Sequence, residues 1–75
     1  MVLIKFTDTE DSDATVIAVV KNKPIQEQLN TLDDCITNAY DNSNLDGFYN
    51  IIIDALNRTF GEENYEVPDL IEINV

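Results

Sequence analysis

The side chains best able to do chemistry in this 75-residue chain are carboxylates, and they come in two runs. Asp8, Glu10, Asp11 and Asp13 place four acids in six residues, and Glu62, Glu63, Glu66 and Asp69 place four more in eight. In an extended chain, residues two apart lie about 6.5–7 Å from each other. Asp8 with Glu10, and Asp11 with Asp13, therefore match the reach between neighbouring phosphates on a nucleic-acid strand. Arg and Lys donors bind planar carboxylates as they bind phosphates, so a basic groove would accept such an array. Taken singly, each run also has the ordinary explanation of a solvated turn.

Other chemistries fail on the residue inventory. The chain has no His, the commonest acid–base residue. Cys35 is the single cysteine: no His stands by to activate it, and it has neither a disulfide partner nor a metal-ligand set. Asn42, Asn44, Asp46 and Gly47 fall on a calcium-loop template, but its first position is Asn and its last is Ile53, where a bidentate Glu is required. Gly47 and Gly61 are the only glycines, too few for a phosphate-cradling loop. Paired carboxylates of the glycosidase kind need cleft walls that so short a chain scarcely provides. The expectation is a protein that is not an enzyme, with no catalytic residue, cofactor or metal site.

Charge is the remaining signal. Fifteen Asp and Glu face four basic residues, Lys5, Lys21, Lys23 and Arg58, for a net charge of −11. Solvated surfaces usually mix both signs, and these four cations cannot neutralise several acidic stretches. Direct nucleic-acid binding is not expected, because phosphate contacts need a basic face. A salt-adapted origin would explain the acidity, but nine Asn and nine Ile fit an AT-rich genome better. With 44% hydrophobic residues the chain is no disordered acidic tail. No apolar run approaches the roughly 18 residues of a membrane span, and the opening Met1 to Phe6 is too short for a secretory core. One unpaired cysteine fits the reducing host cytoplasm.

The elements that must carry these acids follow from periodicity. Val2, Ile4 and Phe6 alternate with Lys5, which predicts a half-buried strand. Thr15 to Val20 is β-branched and apolar on both faces, as an interior strand requires. The two form a hairpin with a long acidic tip. Pro24 fits the first turn of a helix whose stripe is Ile25, Leu29, Leu32, Ile36, Ala39 and Tyr40, with Cys35 at its boundary. A second helix is expected from a Ser43 cap, assisted by Asp46, with a stripe of Leu45, Phe48, Ile52, Leu56 and Phe60 and a stop at Gly61. Tyr65 to Pro68 reads as extended, and Leu70 to Val75 as a third strand with Ile71, Ile73 and Val75 inward. Residues 1–75 thus form one acidic α+β domain in the order β-β-α-α-β. A three-stranded sheet is covered on one face by an antiparallel helix pair, with strand order left open.

Short length, a pI near 4.1, no His, no targeting segment and carboxylates in exposed clusters together resemble the small phage-encoded inhibitors of the anti-CRISPR and DNA-mimic type. The resemblance lies in composition and scale over the whole chain and rests on no family-specific motif. It implies a non-catalytic inhibitor that occupies a basic, nucleic-acid-binding surface of a host defence protein, such as a CRISPR effector or another nuclease. The partner-binding residues expected are Asp8, Glu10, Asp11, Asp13, Glu62, Glu63, Glu66 and Asp69. The alternative is an assembly module without mimicry, a phage accessory or homodimeric subunit. It would pair through the edge at Ile71, Ile73 and Val75, with Tyr40, Tyr49 and Tyr65 as anchors.

Overall fold

A computed structural model describes residues 1–8, 14–41, 47–69 and Ile73. Its elements are β1 (Val2–Thr7), β2 (Thr15–Val20), α1 (Gln26–Asp41), α2 (Phe48–Phe60), a single 3-10 turn (Glu62–Asn64) and β3 (Tyr65–Glu66). The order is β-β-α-α-β, an α+β fold, as the periodicity predicts. The sheet runs β1-β2-β3 with both pairings antiparallel, so the apolar β2 is the interior strand.

Alternation decides which face of the sheet is covered. On β2, Val16, Ala18 and Val20 are buried, and on β1 the partly buried Ile4 and Phe6 share their face. Val16 and Ala18 pack with Leu32 of α1 and with Ile52, Ala55 and Leu56 of α2, and the two helices also pack on each other. Ala18, Ile52 and Leu56 have no solvent exposure at all. Burying a side chain the size of Ile52 or Leu56 stabilises the fold by about 1.5–3 kcal/mol. Cys35 lies half-buried against this cluster, at the stripe boundary where the sequence puts it.

The hairpin is closed by the Asp8 N–H, which donates to the Ala14 carbonyl at 3.0 Å. At the start of α1, the Ile25 carbonyl accepts the first helical bond from Leu29, and the Gln28 side chain reaches back to the Ile25 N–H at 3.0 Å. That is one half of a capping box. It sets the helix start at Gln26, two residues beyond Pro24. α2 begins at Phe48 with Gly47 as its N-cap, and no side chain caps it. The cap expected at Ser43, with Asp46 and the stripe residue Leu45, falls outside the described residues, and the helix itself starts later. Gly61 ends α2 as predicted, with φ +83° and ψ 149°, a conformation essentially restricted to glycine, and its N–H donates to Asn57 O at 3.0 Å.

Two expectations are corrected. The third strand among the described residues is Tyr65–Glu66, in the stretch read only as extended, and it pairs with Val19 and Val20; the strand expected over Leu70 to Val75 lies, Ile73 apart, outside the described residues. Continuing the same register brings Pro68 opposite Ile17, and Pro68 has no N–H to donate, so the ladder stops. Ile73, expected inward on a strand from Leu70 to Val75, is 77% exposed; Ile71 and Val75 lie outside the described residues. The stripe of α1 is also shorter than its periodicity implies. Ile25 is 60% and Leu29 41% exposed, and burial begins at Leu32.

Replacing Ile52 by Ala is expected to destabilise the protein by about 2–5 kcal/mol, close to the whole stability of so small a domain. Leu29→Ala should cost less than about 1 kcal/mol. Urea unfolding followed by circular dichroism checks both, and equal costs would contradict the assignment of the core.

Candidate acidic interaction surface

The C-terminal acidic run is folded into a surface by three successive local structures. Glu62 and Glu63 open the 3-10 turn, Glu66 lies in β3, and Asp69 follows Pro68; all four are exposed. β3 pairs with the edge of β2, and the register Val19↔Glu66 puts Glu66 on the same face of the sheet as Val19, opposite the buried Val20. The result is a depression of about 300 Å³ whose lining includes Glu62, Glu63 and Glu66, with Met1, Val19 and Lys21. Lys21 is the one basic residue in that lining. Glu62, Glu63 and Glu66 thus border one depression together with the apolar side chains of Met1 and Val19. Asp69 is not among them: it borders a separate hollow with Ile17, Tyr49 and Val67.

The turn is held from both sides. Asn64 donates its N–H to Gly61 O at 3.1 Å and its side-chain amide to Phe60 O at 2.7 Å. The Tyr65 hydroxyl donates to Asn57 Oδ1 on α2. This ties β3 to the helix layer, so Tyr65 is half-buried against the core and is no exposed anchor. Burial, reinforced by the nearby Glu62 and then Tyr49, pushes the Tyr65 phenol above the usual tyrosine range. Tyr40 and Tyr49 are exposed, as the sequence suggests.

Of the N-terminal run, Asp8 is partly buried where the hairpin closes, while Glu10, Asp11 and Asp13 lie outside the described residues. Asn42, Asn44 and Asp46 of the calcium-loop template also lie outside them, and Gly47 is extended, with φ −65° and ψ 162°. Among the described residues, no group of three or more Cys, Asp or Glu side chains is placed to hold a metal ion, and no helix is long and apolar enough to cross a membrane. Arg58 pairs with Asp54 at 2.9 Å on the exposed side of α2, which removes one of the four cations from any wider neutralising role. Such an exposed pair contributes only about 0.3–0.5 kcal/mol.

Sequence reasoning did not find Met1, Val19 and Lys21 as part of this surface. Only the β2–β3 register unites them with the acids, and the one sequence signal for that register is Pro68. Compared with protein-family models, curated proteins and solved structures, the chain matches none of them.

The Tyr65 phenol supplies a pH test. Its folded-state pKa lies above the unfolded value of about 10, so its contribution to stability is complete below that pH and is lost as pH rises through the folded value. Tyr65→Phe should cost about 1 kcal/mol at neutral pH, for the lost hydrogen bond to Asn57. It should also flatten the alkaline decline measured by urea unfolding. Parallel alkaline curves for both proteins would contradict the burial assigned to this phenol.

Proposed function

We propose that the protein is a non-catalytic inhibitor that docks its acidic surface on a cationic, nucleic-acid-binding surface of a host defence protein and so blocks access of the nucleic acid. The observation that carries this reading is the grouping of Glu62, Glu63 and Glu66 around one depression in a chain of net charge −11. Like charges kept side by side around one hollow destabilise the compact state, so their retention there fits a use beyond solubility. Met1 and Val19 in the lining add apolar contact area that a purely charged patch lacks. Asp8, Glu10, Asp11 and Asp13 supply a second negative region on the same reading. Charge of this kind acts mainly on the encounter: it speeds association, and salt screens it.

The test is capture of the partner from host lysate on immobilised protein at low salt, followed by kinetics with the recovered protein. The partner should bind DNA or RNA, and duplex nucleic acid should displace it. The combined reversals Glu62→Lys, Glu63→Lys and Glu66→Lys should lower the association rate by about tenfold or more, with Glu10→Lys and Asp11→Lys adding to the loss. Binding that is indifferent both to these reversals and to salt would overturn the proposal.

A further inference from the structure

The sheet has an open side that the acidic surface does not use. Among the described residues, β1 pairs with β2 alone and forms one edge of the sheet. Because Asp8 and Ala14 form a hydrogen-bonded pair, antiparallel alternation commits the main-chain groups of Val2, Ile4 and Phe6 to β2. The N–H and C=O groups of Leu3, Lys5 and Thr7 therefore point away from the sheet. Alongside this edge runs a groove of about 380 Å³ between β1 and α1, lined by Phe6, Ile36, Thr37, Tyr40, Phe48 and Ile52 among others. Lys5 and Thr7 also line it, although their side chains alternate to the opposite face from Phe6, which places the groove along the unpaired edge. A row of free main-chain donors and acceptors beside an apolar groove bounded by a helix is the geometry by which extended peptides add to a sheet.

We infer that β1 accepts one extended segment of a cationic partner as a fourth strand, with alternate apolar side chains entering the β1–α1 groove. The cationic character rests on the function proposed above; the strand geometry does not. Three observations select this occupant. Two-fold pairing of β1 with a second copy joins two chains of net charge −11, and when centred on Lys5 it also sets that side chain against its copy. Ile73, the one described residue beyond Asp69, is 77% exposed rather than seated in a groove. A segment of positive charge is attracted by a chain of net charge −11 when a neutral side chain faces Lys5, and Leu3, 68% exposed on the outer face, gives its outward side chains an apolar neighbour.

The probe is a capped nine-residue peptide that alternates valine with outward threonine and arginine, threonine being central so that it faces Lys5. Amide hydrogen exchange is read by NMR on the full chain. Binding should slow exchange at Leu3, Lys5 and Thr7 by about tenfold or more, and leave Ile4 and Phe6, already bonded within the sheet, little changed. N-methylation of alternate peptide amides, which keeps the charge and removes the pairing, should abolish this protection. Leu3→Pro removes an outward N–H without touching the β2 ladder, and Thr37→Trp fills the groove from an exposed helix position; each should weaken binding about tenfold. Peptide binding that persists without protection of the three amides, or equally with the N-methylated peptide, overturns strand addition while leaving the charge-based function standing. Failure of the peptide to bind overturns it as well. Protection of the three amides in the pure protein assigns the edge to a second copy if it depends on concentration. If it disappears on truncation after Asp69, the edge belongs to the chain's own end. Either result contradicts the inference.

Discussion

The structure depends on one packing interaction, the inner face of β2 against α2. Ala18 is small enough to let the helix approach, and Ile52 and Leu56, one helical turn apart, close over it without solvent exposure. Leu32 of α1 and Val16 complete the cluster, and β1 joins it through Ile4 and Phe6. Few side chains thus hold together a chain whose carboxylates repel one another. A domain of this size buries only about 60–65% of its unfolded surface, so the margin left by this core is small. The glycine at Gly61 and the Tyr65–Asn57 hydrogen bond then fix where the chain goes after α2, and with it the placement of Glu62, Glu63 and Glu66.

Elements whose burial has a simple period were legible in the sequence. Val2, Ile4 and Phe6 on β1, the doubly apolar β2, and Phe48, Ile52, Leu56 and Phe60 on α2 stand where periodicity puts them. The expectations failed where a second element decides the outcome. A helix of 16 residues is about 24 Å long, whereas strands of six residues span about 20 Å, so one end of α1 outruns the sheet. Ile25 and Leu29 lie at that end and remain exposed. The alternation of Leu70 to Val75 predicts Ile73 inward, yet it is 77% exposed, and Pro68 ends the β2–β3 ladder at Glu66. Local pattern says that a segment can be a strand; the register of its neighbour says whether it is one.

The candidate surface was half legible for the same reason. Composition identifies the acids and the shortage of cations, and sequence proximity groups Glu62 with Glu63. Only pairing of Glu66 with Val19 turns the group into a depression lined also by Met1 and Val19, and the same geometry separates Asp69 from it. The open edge of β1 has no sequence signature, since it depends on which side of β2 each neighbour takes. On the reading proposed, the acidic depression and the β1–α1 groove would offer a partner two different kinds of contact: charge that governs encounter, and main-chain pairing that fixes orientation.

The central claim is that the acidic surplus is kept, against its cost to stability, because a cationic molecule docks on it. The most direct measurement neutralises the charges without reversing them, in the combined variant Glu62→Gln, Glu63→Gln and Glu66→Gln. Its unfolding free energy and its affinity for the captured host protein are then compared with those of the parent. Unfolding free energy that holds or rises, together with affinity that falls several-fold, is the predicted result. Unchanged affinity in a variant that folds normally would contradict the account.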